Sequence, residues 1–276
     1  ECQNINNLTV RTYHDLCRDF IVEAGIGWPS NDSGLDSNFY DEELPLKMLD
    51  ALTALPERRF DAIVVDESQD LSKEAWENIQ LLFDDYDEGI LYAFTDPSQL
   101  LYQKEDHTPE DLTRFPLVEN VRNTKSIFKS SFRFCKDQKN EMVALGPDGT
   151  NPDFIECKND QETKRNMGRI LHKLIVDEGF KESEIVVLSP HATSNEIFNN
   201  ITSAGRFKVT NEVINPGDVK LESVWRFKGL ESKAVILIKF DETQSDYLRY
   251  VAMTRAQSYL AILGPIMYQG SNPNVQ

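Results

Sequence analysis

Five short apolar runs, at residues 63–65, 90–94, 185–188, 234–238 and 259–263, do most to limit what this chain can fold into. Each is bounded by polar residues and is short for a helix, the pattern of a strand covered on both faces. Between them lie stretches with helical spacing. Ala75, Trp76, Ile79, Leu82 and Phe83 follow the first run, and Met167, Ile170, Leu171, Leu174 and Ile175 precede the third. Strands alternating with helices imply a parallel, doubly wound sheet, so the expected fold class is α/β. Residues 8–13 and 114–118 read as further strands. Residues 42–55, 123–135 and 245–255 read as helices, the first stopped by Pro56. The turn Gly146-Pro147-Asp148-Gly149 and its polar neighbours read as a linker, which puts a domain boundary near residue 140.

Composition narrows the chemistry. With 276 residues there is room for one large or two medium domains. No apolar run approaches the roughly 20 residues of a membrane-spanning helix. A net charge of −17 argues against a general polyanion binder, although a local basic groove stays compatible with it. Cys2, Cys17, Cys135 and Cys157 show no CxxC spacing, and His14, His107, His172 and His191 are scattered, so neither a zinc site nor a disulfide framework is expected. Reduced thiols and a cytoplasmic setting are the default for such cysteines.

The run at 63–65 ends in adjacent carboxylates, Asp66 and Glu67, within Val65-Asp66-Glu67-Ser68-Gln69-Asp70. Ligands of open α/β sheets gather at the carboxyl ends of strands. One acid there can hold Mg²⁺ and a second can orient or deprotonate a water. The plain alternative is an acidic strand-to-helix turn, with Asp70 or Ser72 capping the next helix. Asp96-Pro97-Ser98-Gln99 follows the second run, and Gln99 could sense a γ-phosphate or position water, or the stretch could be a simple proline turn. Arg122, in Glu119-Asn120-Val121-Arg122-Asn123-Thr124, lies next to a helix start and suits an anion, or is a solvated Arg beside a capped helix. Phe227-Lys228-Gly229-Leu230-Glu231 and Tyr250-Val251-Ala252-Met253-Thr254-Arg255-Ala256 complete the set. Arg255 near a helix end could supply a planar charged fork to a phosphate, or merely balance the helix C-terminus.

Taken in order, these stretches resemble superfamily 1 helicases of the UvrD/Rep type. DESQD resembles helicase motif II, TDPSQ motif III, LVENVRNT motif IV, RFKGLE motif V and YVAMTRA motif VI, and VRTYHDL resembles the TFH segment that precedes motif II. The resemblance implies two RecA-like parallel-sheet domains of the P-loop NTPase fold, the first incomplete, spanning 1–140 and 141–276. It implies ATP and Mg²⁺ as cofactors and an ATP-dependent helicase or translocase moving along single-stranded or partly duplex DNA. Asp66 would hold Mg²⁺, Glu67 would act on the attacking water, and Gln99, Arg122 and Arg255 would attend the γ-phosphate. Glu231 would contact the ribose, Lys228 and Gly229 would shape the motif V loop, and Thr12, Tyr13, His14 and Tyr102 would lie near nucleic acid.

Departures from the pattern shape the expectation. No Gly-x-x-x-x-Gly-Lys-[Ser/Thr] occurs, so the cradle for the β- and γ-phosphates is absent from this sequence. The implied partner is therefore a missing N-terminal segment carrying that loop, and this chain alone is expected to be inactive. Trp225 stands where motif V usually has His, and Lys104 where a base-stacking Trp often follows motif III. A rival reading is a non-catalytic interaction module of helicase-like shape. A weaker one is a metal nuclease built on Asp61, Asp66, Glu67 and Asp70.

Overall fold

The structure, a computed structural model, describes residues 7–29, 35–36, 38–96, 106–135, 142–191, 200–212, 214–241 and 243–265. The described residues form two compact units, one of those up to 96 with 106–113 and the other of those from 114 onward.

The first unit begins with helix α1 (Tyr13–Glu23), whose N-terminus is capped by the Thr12 side chain accepting from the Asp15 amide. Helix α2 (Leu44–Ala54) follows a short π-helical turn, and carries Pro45 in its first turn, where a missing N–H costs nothing. Strand β1 (Ala62–Val65), helix α3 (Lys73–Gln80, capped by Ser72) and strand β2 (Ile90–Ala93) complete the unit. Phe20, Ile21, Leu44, Met48 and Leu82 form its core, and Phe60 and Ile63 pack against them. β1 and β2 pair in parallel, Val64 opposite Tyr92 and Ala62 opposite Ile90.

That register puts Val64, Ile90 and Tyr92 on one face, and this face is open. Val64 is 66% exposed, Ile90 55% and Tyr92 61%. The expectation of strands buried on both faces is therefore corrected for both runs. Only the alternate face meets the α1–α2 core, and among the described residues neither strand has another neighbour.

The second unit opens with strand β3 (Glu119–Asn120), helix α4 (Lys125–Phe132), and strands β4 (Val143–Ala144) and β5 (Asp153–Glu156). Helix α5 (Asp160–His172) leads to strand β6 (Ile185–Ser189), and the short strands β7 (Ser203–Ala204), β8 (Phe207–Thr210) and β9 (Val219–Ser223) follow. Strand β10 (Ser232–Ile238), helix α6 (Asp246–Thr254) and strand β11 (Ala256–Gly264) close it. A seven-stranded sheet runs in the order β5-β11-β10-β6-β9-β8-β7, parallel except for β7 against β8. β6 and the last five residues of β10 are buried throughout. One face packs Met167, Leu171 and Leu174 of the α5 segment, and the other packs Ile127, Leu248 and Val251 from α4 and α6. This α/β architecture with a mostly parallel sheet is the expected class.

Several local expectations give way to specific contacts. Residues 8–12 form no strand, because Thr12 starts a helix directly. Residues 114–118 form none either; Phe115 and Leu117 are about four-fifths exposed, at 82% and 79%. The unit boundary falls at 113/114 and not at 140, which assigns the Arg122 stretch to the second unit. The reason is local pairing: β3 pairs with β4, and the Thr124 amide donates to Gln257 O. β7, β8 and β9 carry no clear sequence signal.

These two sheets should respond differently to truncation. Ile236→Ala, in the fully buried β10, is expected to lower second-unit stability by about 2–5 kcal/mol. Val64→Ala should change the first unit by less than about 1 kcal/mol, because little surface there leaves water on folding. Urea unfolding followed at Trp225 and at Trp76 measures each; a large loss for Val64→Ala would contradict the open face.

Candidate functional site

Two clusters of polar side chains stand out, one in each unit. In the first, β1 delivers Asp66 to the strand end, where it is exposed. Asp66 Oδ1 accepts from the Glu67 amide at 3.0 Å. Glu67 has φ of 50°, a left-handed conformation that costs a residue other than Gly roughly 1–2 kcal/mol. The turn is held from both sides, since the Phe94 amide donates to Val65 O and the Ser68 amide to Phe94 O. Buried Gln69 then bridges the cluster: its Nε2 donates to Glu67 Oε2 at 2.6 Å, and its Oε1 accepts from the Asp96 amide at 3.0 Å. Buried Ser68 shares a hydrogen bond with Thr108, which donates to Asp106. Gln69 thus orients the Glu67 carboxylate, a role with no separate sign in the sequence.

A single exposed carboxylate fits Mg²⁺, which prefers one or two carboxylates completed by waters and phosphate oxygens. Among the described residues no cluster of three or more His, Cys, Asp or Glu could cage a metal, which disfavours the nuclease arrangement of Asp61, Asp66, Glu67 and Asp70. The sequence offers no cradle for a triphosphate, so its residues fit the metal and not the whole nucleotide.

The strand-contact candidates separate on inspection. Thr12 serves as the α1 cap, and its hydroxyl donates to Asp15. Tyr13 turns inward against the α1–α2 core, where its hydroxyl accepts from Asn78 and burial raises its pKa. His14 stays at the surface with its ring 4.9 Å from that of Tyr40, and the lost hydration lowers its pKa. An open groove of about 670 Å³ beside them is lined by Arg11 and Arg18, but also by Asp15 and Asp19. Arg11 pairs with Asp19 at 2.8 Å, so the groove is not a cationic track. Gln99 and Tyr102 lie outside the described residues.

In the second unit three distant stretches converge. Arg122 Nε meets Glu231 Oε2 at 2.7 Å, and Gln257 Nε2 donates to Glu231 Oε1 at 2.7 Å. Asn123, 1% exposed, donates its side-chain amide to Thr254 O at 3.0 Å and Ala256 O at 2.6 Å. Gly146 is required here, since a Cβ on it would collide with Asn123 O. Lys228 and Gly229 form the turn into β10, and Gly229 has φ of 77°, which favours glycine. Trp225 donates from its indole to Pro190 O.

Arg255 is not a surface arginine balancing a helix end, one of its two readings from sequence. Among the described residues it is the largest fully buried side chain, 1% exposed. Its Nε donates to Val251 O at 3.0 Å and one Nη to Leu230 O at 3.1 Å. The structure thus brings Arg122, Glu231 and Arg255 into one cluster, with Lys228 and Gly229 on the adjoining turn. Sequence reasoning missed Asn123 and Gln257; their amides had no signal beyond sitting beside the two arginines.

No protein-family profile matches the chain, and no curated protein matches it. Solved structures with a similar fold include the C-terminal domain of a possible DNA helicase from Lactobacillus plantarum WCFS1, at TM-score 0.41 and 16% identity, covering 52% of this chain and 87% of that one. An arterivirus nonstructural protein 10 (helicase), solved with DNA, has TM-score 0.41 and 14% identity, covering 73% and 39%. The PRRSV helicase has TM-score 0.43 and 12% identity, covering 82% and 46%. The chain therefore spans less than half the length of the two viral helicases.

Because Arg255 is buried and bonded, Arg255→Ala should destabilise the second unit by about 2–4 kcal/mol, from two lost charge-assisted hydrogen bonds and the cavity left behind. Urea unfolding followed at Trp225 checks this; an unchanged midpoint would contradict a supporting role.

Proposed function

We propose that this chain is part of an ATP-dependent helicase or translocase of the superfamily 1, UvrD-like type, acting on single-stranded nucleic acid. The observation that carries the reading is the cluster in the second unit. Stretches at 119–124, 227–231 and 250–256, far apart in sequence, meet through Arg122, Asn123, Glu231 and Arg255, with Gln257 just beyond the last. These are the stretches that the motif resemblance ties to nucleotide.

Each residue has a task its chemistry suits. Asp66 is assigned to Mg²⁺, which when bound would neutralise phosphate charge. Glu67, steered by Gln69, is assigned to accept a proton from the attacking water. Arg122 is assigned to the γ-phosphate; it is half exposed and carries a planar fork suited to phosphate oxygens. Arg255 keeps its assignment near that phosphate with a reduced scope, since two of its nitrogens are engaged with carbonyls. Glu231 is assigned to the ribose, and Gln99 to sensing the γ-phosphate. Of the strand contacts, His14 and Tyr102 are retained, and Tyr13 becomes a core residue.

The phosphate cradle is proposed to come from a segment outside this sequence. The open face of Val64, Ile90 and Tyr92 supports that idea, because parallel sheets are stable when helices cover both faces. The same open face, with the net charge of −17, equally favours the rival reading of a non-catalytic docking module.

In the longer protein carrying a phosphate loop, Glu67→Gln should cut Mg²⁺-dependent phosphate release by about 10²–10⁴-fold, the usual contribution of a general base. Steady-state phosphate release with and without single-stranded DNA makes the measurement. Turnover unchanged by Glu67→Gln, or no turnover in the wild type, would favour the module.

A further inference from the structure

We propose that Asn123 is a positioning residue that sets the directions of Arg122 and Arg255 together; the proposal rests on the reading that these arginines serve a nucleotide. The geometry has three parts. First, the two side-chain donors of Asn123 go to Thr254 O and Ala256 O, the carbonyls on either side of Arg255. Thr254 is the last residue of α6 and Ala256 the first of β11, and a side-chain amide with two donors is well suited to satisfy both carbonyls. Asn123 thus holds the peptide before Arg255 through Thr254 O and the residue after it through Ala256 O, while the Ser232 amide holds Arg255 O, and together these fix the direction in which the Arg255 side chain leaves the backbone. Second, Asn123 is itself held. Its Oδ1 accepts from Asn120 Nδ2 at 3.0 Å, and its amide donates to Asn120 Oδ1 at 3.1 Å. This closed pair of asparagines shapes the turn containing Arg122. Third, the turn is bonded onward, from the Thr124 amide to Gln257 O, while Gln257 reaches Glu231, the partner of Arg122.

One buried amide therefore couples two arginines that lie 133 residues apart in sequence. A structural asparagine could cap α6 without affecting Arg122. A positioning asparagine must move both guanidinium groups when it is altered.

Nuclear magnetic resonance on the full chain distinguishes these cases. In the wild type, the Asn123 side-chain amide protons should exchange with solvent about 10²-fold more slowly than those of an exposed asparagine, because both are donated to buried carbonyls. Exchange at the exposed rate would overturn the proposal without any variant. In Asn123→Asp, which keeps the shape but replaces the donor facing two carbonyls with an acceptor, the Nε–H signals of both Arg122 and Arg255 should shift toward the position of a free arginine. A folded Asn123→Asp protein with either signal unmoved would also overturn it. If that variant does not fold, the wild-type exchange rate decides. Addition of millimolar Mg·ATP to the longer protein carrying a phosphate loop tests the nucleotide reading separately. A shift of the Arg122 signal is expected; no shift would overturn that reading while leaving the coupling by Asn123 measurable.

Discussion

A buried guanidinium governs the second unit. Removing a charge from water costs several kcal/mol unless hydrogen bonds replace its hydration. Arg255 is bonded to Val251 O within its own helix and to Leu230 O on the turn before β10. Those two acceptors bind the end of α6 to the entrance of β10, and the Ser232 amide donates back to Arg255 O. Asn123 adds the third stretch. The exposed pair Arg122–Glu231 then sits on a foundation that is already fixed. On its own such a surface pair adds only about 0–1 kcal/mol, so its value lies in orientation more than in stability.

The first unit solves its polar problem differently. Its two strands are half covered, and its carboxylates meet at a turn that includes a left-handed Glu67. Strain of this kind persists where surrounding contacts over-determine it. Here Gln69 supplies that determination by holding Glu67 and the Asp96 amide at once.

How much of this was legible in the sequence depends on where each element finds its partners. β6, β10 and β11 were readable because their apolar runs are covered on both faces by helices of the same unit. α5 was readable from its apolar stripe. β1 and β2 were placed correctly as strands, but their burial depends on what covers their second face, and residue type alone cannot report that. β7, β8 and β9 are only two to five residues long and include Lys208, Lys220 and Glu222, so no apolar run stands out. Arg255 shows the sharpest limit. Its sequence neighbours allow a fork offered to a phosphate or a surface charge at a helix end, whereas its burial goes with carbonyl partners at residues 251 and 230. Tyr13 likewise turns inward because Asn78, on a different helix, offers it a donor.

Native-state hydrogen exchange at the amides of Thr124 and Ser232 tests most directly whether the three converging stretches form one body. Thr124 donates to Gln257 O and Ser232 to Arg255 O, so the two amides report two different links of the cluster. If the cluster is a single cooperative element, both amides exchange through one opening, with equal free energies that match unfolding of the second unit. Rapid exchange at Thr124 beside strong protection at Ser232 would show that the Arg122 turn moves independently, and would contradict a shared foundation for the two arginines.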